Sequence, residues 1–289
     1  MIVQKTDHFS LSAIADSGQC FRWQRRGEGF RIIAGKNVVQ AMQNLSGDEL
    51  TLNCTQEEYT RIWKPYFDQD SDYGAVIAAI PPEDAYLRAA AEYGQGIRIL
   101  RQDPWETLIT FILSQRKNIP AIRQCVEKLC AACGDVICEE TEGPLYAFPT
   151  PEAILTLGEE RLRALGLGYR APYVLRTAEA FCAGWSVQAL EALSDEQLQS
   201  ALCGFYGVGR KIALCTMLFG FHRMNAFPVD VWMQKVQKSR YPGGFQLERY
   251  APWGGVMQQY MFAYERHLNG AGNEKSEAGS ESLYMPSRS

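Results

Sequence analysis

The spacing of hydrophobic residues changes near residue 56 and divides the chain into two parts. Before that point, short runs rich in aromatic or β-branched residues (FRWQRR, FRIIA, VVQAMQ and ELTLNC) are separated by the turn signals RGEG, GKN and SGD. Such a pattern is typical of antiparallel strands. From Glu57 onward, apolar residues recur at helical spacing. The pattern predicts an α+β fold in which an N-terminal antiparallel β-sheet domain precedes a mainly helical domain.

The predicted domain boundaries follow from these changes in pattern. Residues 1–80 form the β domain with flanking helices, and residues 81–269 form the helical domain. Residues 270–289 are small, polar and charged, which predicts a disordered tail.

One strongly apolar run, TLITFILSQ at residues 107–115, predicts a central helix. It ends in a polar cluster formed by Gln115, Arg116, Lys117 and Asn118. This cluster is consistent with a surface that faces a nucleic-acid backbone, and equally with a solvated helix end.

The nine cysteines predict free thiols in a reducing compartment rather than a metal site. Cys130 and Cys133 form a C-x-x-C pair, but they share one apolar helical face with Ile122, Cys125, Val126 and Leu129. No histidine lies nearby in the sequence, so we do not expect zinc. No cysteine follows Cys215, which excludes a cysteine-ligated iron–sulfur cluster after that position.

The stretch from Leu202 to Trp232 joins two predicted helices through a glycine-rich turn. Ser194 is the predicted N-cap of the first helix. The second helix, from Ile212 to Phe221, is apolar on almost every side, which predicts a buried core helix.

The turn between these helices is framed by Gly204, Gly207 and Gly209. Glycine adopts backbone angles closed to other residues, and we expect all three to do so. The backbone amides of Gly207, Val208 and Gly209 would then be open to a phosphate.

Two residues that flank the second helix have side chains suited to chemistry on a sugar. Lys211 lies in its first turn, and Asp230 is the predicted N-cap of the next helix. Burial and the positive helix N-terminus disfavour an ammonium, so we expect a neutral, nucleophilic amine at Lys211. A solvated lysine and a capping aspartate are equally ordinary, and the residues alone leave both interpretations open.

A second glycine-rich turn, LRALGLGYRAPYV at residues 162–174, carries Tyr169 and Arg170 at its tip. A tyrosine beside an arginine suits a wedge that enters a base stack while the guanidinium binds an orphaned base. Exposed residues of these types are also common in turns. Gly18, on a loop that enters a strand, is explained as well by an ordinary turn.

Charge and hydropathy limit the possible partners. The net charge of −4 gives no global basic signature, so contact with nucleic acid would require a local basic surface and backbone amides. The sequence shows no leader and no apolar run of about 18 residues, so we expect a cytoplasmic protein with no membrane partner.

Four motifs occur in one order, LRQDPWETLITFILSQ, LGLGYRAPYV, GFYGVGRKIALC and PVDVWM, with SGQCFRW before them. From about Phe9 to His267 the chain resembles the 8-oxoguanine DNA glycosylases, a family of helix-hairpin-helix base-excision enzymes. The segment MQQYMF and Trp232 resemble bacterial members. The resemblance implies a DNA repair enzyme, a bifunctional DNA glycosylase and AP lyase that removes 8-oxoguanine from duplex DNA by base flipping. It also implies DNA with the lesion opposite cytosine as partner, a monomer, a bacterial cytoplasmic location and no cofactor.

The resemblance implies catalytic and base-recognition roles for single residues. Lys211 matches the family's nucleophile, and Asp230 matches its catalytic aspartate. Gly18 matches a glycine whose carbonyl accepts the extra proton of 8-oxoguanine. Three further positions match the two faces of the base sandwich and the residue on the Watson–Crick edge, and they are Cys215, Phe262 and Gln258.

The resemblance also implies DNA contacts. Tyr169 matches the family's wedge, and Arg170 matches an arginine on the orphaned cytosine. Contacts with the DNA backbone are implied for Gly207, Val208, Gly209, Gln115, Arg116 and Asn118.

Two departures from the eukaryotic members weaken specific contacts. Ala121 stands where an arginine is expected on the orphaned cytosine, and Trp232 replaces a histidine.

Two alternatives stay open at this point. One is a glycosylase for an alkylated purine, which needs Asp230 but not Lys211, and the other is a non-catalytic helix-hairpin-helix module that binds DNA.

Overall fold

A computed structural model of the protein describes residues 1–280. Its N-terminal part is a five-stranded antiparallel sheet in the order β1-β5-β4-β3-β2, which confirms the predicted fold class. The strands are β1 (Ile2–Lys5), β2 (Trp23–Arg26), β3 (Gly29–Ala34), β4 (Asn37–Gln43) and β5 (Glu49–Leu52). A separate hairpin pairs β6 (Val136–Glu140) with β7 (Gly143–Tyr146).

Helices make up most of the remaining described chain, as the sequence predicted. The α-helices are α1 (Leu11–Asp16), α2 (Gln56–Glu58), α3 (Lys64–Tyr66), α4 (Tyr73–Ala78), α5 (Ala85–Tyr93), α6 (Pro104–Ser114), α7 (Ile119–Cys133), α8 (Pro151–Leu162), α9 (Ala171–Cys182), α10 (Val187–Glu191), α11 (Asp195–Cys203), α12 (Arg210–Phe219), α13 (Val231–Arg240) and α14 (Gly254–Ser280). Single π-helical turns lie at Tyr59–Trp63 and Arg163–Leu167, and 3₁₀ turns lie at Gly168–Arg170 and Leu247–Tyr250. No helix in residues 1–280 is long and apolar enough to cross a membrane.

The sheet and the helices have separate hydrophobic cores. Trp23, Trp63 and Phe67 are fully buried against one face of the sheet, and Trp23 donates a 2.8 Å hydrogen bond from Nε1 to the Tyr66 hydroxyl. Helix α4 already packs in the helical core, so the change of core falls before the predicted boundary at residue 80.

The central helix α6 is the axis of the helical core. Every residue from Trp105 to Leu113 except Glu106 is buried. Phe111 of α6 stacks on Phe219 of α12, with ring centroids 5.6 Å apart. Helix α7 packs beside α6 and buries Cys125 and Cys130 on its apolar face, as its spacing predicted.

A buried glutamine ties the loop before β2 to the helical part. Gln19 is 1% exposed; its Nε2 donates to the Arg98 carbonyl and its Oε1 accepts from the Leu100 amide, each at 2.9 Å. Gln102 Nε2 donates to the Gln19 carbonyl at 2.9 Å. These bonds fix the position of the neighbouring Gly18 relative to the helices.

The last helix is longer than the sequence predicted. We expected it to end at Leu268, with a disordered tail at 270–289, but α14 continues to Ser280. Extension of a helix that is already packed costs less than nucleation, because each added residue brings its own hydrogen bond. The remainder of the predicted tail, residues 281–289, lies outside the described residues.

Candidate active site

The predicted helix-turn-helix is present as α11, a six-residue turn and α12. Ser194 caps α11, because its side-chain oxygen accepts a hydrogen bond from the Gln197 amide. In turn, the Gln197 side-chain oxygen accepts a hydrogen bond from the Ser194 amide. Leu198 and Leu202 are buried, and every residue of α12 from Ile212 to Phe219 is buried. The cap, the apolar face and the buried second helix were all predicted correctly.

Only one of the three turn glycines has a backbone conformation that favours glycine. Gly207 has φ +80°, whereas Gly204 is helical at φ −73° and Gly209 is extended at φ −92°. The expectation of special angles at all three was therefore wrong for two of them. Gly204 simply ends α11, and Gly209 is the N-cap of α12.

Gly207 is also required by packing. A Cβ atom built on Gly207 would overlap the Tyr173 ring, so this close approach holds the turn against α9. Gly207→Ala should lower the free energy of unfolding by about 1–3 kcal/mol, through strain and overpacking, and should weaken DNA binding. Thermal unfolding and a binding titration measure both effects.

The matched control is Gly209→Ala in the same turn. A Cβ there meets no atom within 4 Å and φ is negative, so the cost should stay below about 1 kcal/mol, that of a poorer N-cap. Equal losses of stability in the two variants would contradict the role given to Gly207.

Two of the three predicted turn amides are open to a ligand. Within the described residues, the amides of Gly207 and Gly209 donate to no protein acceptor, whereas the Val208 amide donates to the Phe205 carbonyl at 3.0 Å. The Val208 side chain is buried as well. The prediction of an open amide at Val208 was wrong, because this residue closes the turn.

Lys211 and Asp230 lie on one cavity. Six side chains or backbones predicted for catalysis and base recognition all line it, although they come from three distant parts of the sequence. They are Gly18, Lys211, Cys215, Asp230, Gln258 and Phe262.

Lys211 is exposed at the mouth of this cavity, and its Nζ lies 5.3 Å from the centre of the Phe111 ring. The burial expected from the sequence is therefore absent in the free protein. Lys211 and Asp230 form no ion pair with each other, although both line the cavity.

Asp230 is the N-cap of α13, as predicted. Its Oδ1 accepts a 2.9 Å hydrogen bond from the Met233 amide. Its second carboxylate oxygen accepts no hydrogen bond from the described residues, and Pro228 beside it lines the same cavity. The cap thus fixes the carboxylate while one oxygen remains available to the cavity.

Cys215 forms an apolar wall of the cavity. Burial raises the pKa of its thiol; the nearby Lys211 ammonium opposes this rise, and the Asp230 carboxylate adds to it. The thiol therefore stays protonated near neutral pH. This favours a role as a packing surface for a flat ligand over a role as a nucleophile.

Gly18 and Phe262 of α14 form another part of the cavity wall and lie close to each other. Gly18 has φ +77°, and a Cβ built there would lie 3.5 Å from the Phe262 ring. The Gly18 carbonyl accepts no hydrogen bond from the described residues, so it can accept one from a ligand. The Arg266 guanidinium lies 5.5 Å from the centre of the Phe262 ring and supports its outer face.

Two adjacent glutamines close the cavity floor. Gln258 and Gln259 are 3% and 4% exposed, and Gln259 Nε2 donates to Gln258 Oε1 at 3.0 Å. Gln259 Oε1 is buried without a hydrogen-bond partner. Gln259 was not predicted to line the cavity, and the doubled glutamine on an apolar helix was the only signal for it in the sequence.

Aromatic walls of the cavity were also missed. Phe111 and Phe219 line it from α6 and α12, together with Ser17 beside the glycine loop. Periodicity marked both phenylalanines as core residues, and nothing in a helical pattern distinguishes a core position from a cavity wall.

The turn that carries Tyr169 and Arg170 differs from its prediction at one residue. Tyr169 is 43% exposed, but Arg170 is only 6% exposed, and its Nε donates to the Gln115 carbonyl at 2.9 Å. The Arg170 guanidinium also lies 4.3 Å from the centre of the Tyr169 ring. Arg170 therefore supports Tyr169 from within the fold and is not exposed at the tip of the turn.

The polar cluster after α6 links these parts. Gln115 Nε2 donates to the Gly207 carbonyl at 3.2 Å, so Gln115 joins the hairpin to the wedge turn. Arg116 is exposed with φ +53°. Asn118 caps α7 by accepting a 3.0 Å hydrogen bond from the Ala121 amide, which already occupies its side-chain oxygen.

Trp232 packs partly buried on the helical core, with Lys235 Nζ 4.6 Å from its ring centre.

The glycine hairpin, the buried helix α12 and the capping Asp230 lie in a part of the chain that matches a class of DNA repair proteins. The HhH-GPD superfamily base excision DNA repair model matches residues 109–242. The model of the 8-oxoguanine DNA glycosylase N-terminal domain matches residues 1–108. The chain belongs to the 8-oxoguanine DNA glycosylase family.

Individual relatives agree with this assignment. An N-glycosylase/DNA lyase of Saccharomyces cerevisiae is 36% identical over 174 residues, 56% of this chain and 46% of that protein. One of Arabidopsis thaliana is 30% identical over 231 residues, 75% of this chain and 62% of that protein. This chain thus spans about half of the first relative's length and under two thirds of the second's.

A solved structure covers almost the whole chain. It is the Clostridium acetobutylicum 8-oxoguanine glycosylase/lyase in complex with double-stranded DNA containing cytosine opposite 8-oxoguanine. The TM-score is 0.84 at 31% identity, over 93% of this chain and 99% of that one.

Proposed function

We propose that the protein is a bifunctional DNA glycosylase and AP lyase that removes 8-oxoguanine from duplex DNA in base-excision repair. The observation that carries this proposal is the convergence of Lys211 and Asp230 with a cavity walled by Cys215 and Phe262. The Clostridium structure with DNA, noted above, supports duplex DNA with cytosine opposite the lesion as the substrate.

The first step is extrusion of the damaged nucleotide, because its anomeric carbon is inaccessible inside a duplex. Extrusion costs a few kcal/mol, and less at a damaged pair. The exposed Tyr169 would fill the gap in the stack. The open amides of Gly207 and Gly209, at the positive N-terminus of α12, would hold a backbone phosphate.

The extruded base would lie between Cys215 and Phe262, with Gln258 on its Watson–Crick edge. The Gly18 carbonyl would accept the proton that 8-oxoguanine carries at ring nitrogen seven and that guanine lacks. A single acceptor of this kind separates the two bases because guanine would leave it unpaired.

The chemical steps use Lys211 and Asp230. As the glycosidic bond breaks, positive charge develops on the sugar, and the free oxygen of Asp230 stabilises it. The neutral Lys211 amine attacks the anomeric carbon and the base leaves with the bonding electrons. Opening of the sugar gives a Schiff base, and loss of the adjacent acidic proton expels the 3′ phosphate.

The substrate itself would supply the burial that Lys211 lacks. Lys211 is exposed in the free protein, so bound DNA would have to exclude water from the amine. We further propose that the enzyme acts as a monomer in the bacterial cytoplasm and requires no metal or nucleotide cofactor.

A nicking assay tests this function against its alternatives. Duplexes that carry 8-oxoguanine, an alkylated purine or no lesion are incubated with the protein, with and without heat and alkali. The proposal predicts strand cleavage only at 8-oxoguanine and without alkali. Cleavage that needs alkali at an alkylated purine would support a glycosylase without lyase activity, and binding without cleavage would support a non-catalytic module.

Gly18→Ala should reduce the preference for 8-oxoguanine over guanine. The added Cβ fits beside Phe262, so the expected cause is backbone strain of about 1 kcal/mol or more at φ +77°, which displaces the carbonyl. Single-turnover excision of 8-oxoguanine and of guanine, each paired with cytosine, measures the preference. Gly27→Ala, at φ +54° in open space, is the control and should keep it. Unchanged selectivity in Gly18→Ala would remove this role.

A further inference from the structure

An exposed arginine beside the hairpin has no acceptor for its N–H groups among the described residues. Arg176 lies on α9, one turn after Tyr173, and within the described residues its guanidinium forms neither an ion pair nor a hydrogen bond. Some other exposed arginines are bound to a carboxylate. Arg163, for example, is bound to Glu159 at 2.6 Å.

An aromatic residue holds Arg176 in place instead of a carboxylate. The Arg176 guanidinium lies 4.3 Å from the centre of the Tyr206 ring. Tyr206 meets Tyr173 edge-on, with ring centroids 5.1 Å apart, and is itself 49% exposed. A cation–π contact orients the guanidinium and leaves its N–H groups available to another acceptor.

The location of this pair favours one kind of acceptor. Tyr206 directly precedes Gly207, whose open amide lies at the predicted phosphate site, and Tyr173 also contacts Gly207 and the wedge Tyr169. A DNA backbone that reaches the hairpin amides and Tyr169 would therefore pass the exposed guanidinium. Arginine binds phosphate oxygens through two parallel hydrogen bonds.

We propose that Arg176 binds a DNA backbone phosphate next to the one held by the hairpin amides, and that Tyr206 positions its guanidinium. This contact rests on the proposed function, because it requires duplex DNA to bind this face of the protein. It extends the grip on DNA by one phosphate and carries no information about the base. Neither residue contacts the cavity that holds the damaged base.

The test is the salt dependence of binding, measured by fluorescence anisotropy with 8-oxoguanine-containing and undamaged duplexes. Arg176→Ala should weaken binding roughly tenfold at low salt, as expected for a hydrogen bond to a charged group. It should also reduce the slope of log affinity against log salt by about 0.9, equally on both duplexes. Arg176→Lys should keep most of the slope, and Arg176→Gln replaces the alanine variant if that variant folds poorly.

The positioning role has its own variants. Tyr206→Ala should weaken binding less than Arg176→Ala does, and Tyr206→Phe, which retains the ring, should bind like wild type. Lys5→Ala removes one positive charge from the edge strand β1, where Lys5 pairs with Asp48 at 3.2 Å, and should leave the slope unchanged.

Two results would overturn the proposal. One is a wild-type salt slope in Arg176→Ala and Arg176→Gln, and the other is an equal loss of slope in Lys5→Ala. Failure of the proposed enzyme activity is distinguishable from both. A wild-type protein that does not excise 8-oxoguanine but loses slope on replacement of Arg176 would still support this contact.

Discussion

Lys211→Gln should abolish both the covalent adduct that borohydride traps with 8-oxoguanine-containing DNA and the strand nicking that follows it. Glutamine cannot form a Schiff base, so the loss of nicking should be on the order of a thousandfold or more. Because Lys211 is exposed and its side chain forms no ion pair within residues 1–280, the variant should fold and still bind DNA. Denaturing gels after borohydride treatment measure the adduct.

The control is a lysine far from the cavity. Lys36 lies in the turn between β3 and β4 and pairs with Asp135 at 2.9 Å. Lys36→Gln should form the adduct at the wild-type rate. An adduct of normal yield in Lys211→Gln would show that another amine is the nucleophile.

Asp230→Asn should slow base excision by roughly 10²- to 10³-fold while leaving the fold intact. The carboxylate is proposed to stabilise the developing charge on the sugar, and removal of one such group costs about this much. Asparagine caps helices as well as aspartate does, so the bond to the Met233 amide should persist and the free energy of unfolding should change little. Single-turnover excision and thermal unfolding separate the two functions of this residue.

Asp230→Ala provides the comparison, because it removes both the charge and the cap. It should excise as slowly as Asp230→Asn and should also be less stable by about 1 kcal/mol. Near-wild-type excision by Asp230→Asn would mean that Asp230 serves the helix cap alone.

Local signals predicted the scaffold of the site well. The caps Ser194 and Asp230 and the buried helix α12 are set by residues within one or two turns of each other. Hydrogen bonds and apolar spacing over such short distances can be inferred from sequence, because they depend little on the rest of the fold.

Contacts between distant segments could not be predicted in this way. Arg170 is buried because the Gln115 carbonyl, 55 residues earlier, accepts its hydrogen bonds. Gly207 requires glycine because Tyr173 packs against it from another helix. Periodicity shows on which face of a helix a residue lies, but it does not show which segment packs against that face. Both findings therefore needed the structure.

The residues predicted to recognise the base show the same limit. Gly18 and Phe262 line one cavity although 244 positions separate them, and only the resemblance to a known family connected them before the structure did. Gln259 was not predicted, because the resemblance to the family assigned a role to its neighbour Gln258 alone. Its side-chain oxygen Oε1 is buried without a hydrogen-bond partner, and only the structure shows this.

The most direct test of the central claim is to locate the covalent bond itself. The wild-type protein is incubated with a duplex carrying 8-oxoguanine opposite cytosine, reduced with borohydride and digested, and the nucleotide-bearing peptide is sequenced by mass spectrometry. We predict a single modified residue, Lys211. Modification of a different amine, or no adduct while 8-oxoguanine is still removed, would contradict the claim that one lysine carries both the glycosylase and the lyase reaction.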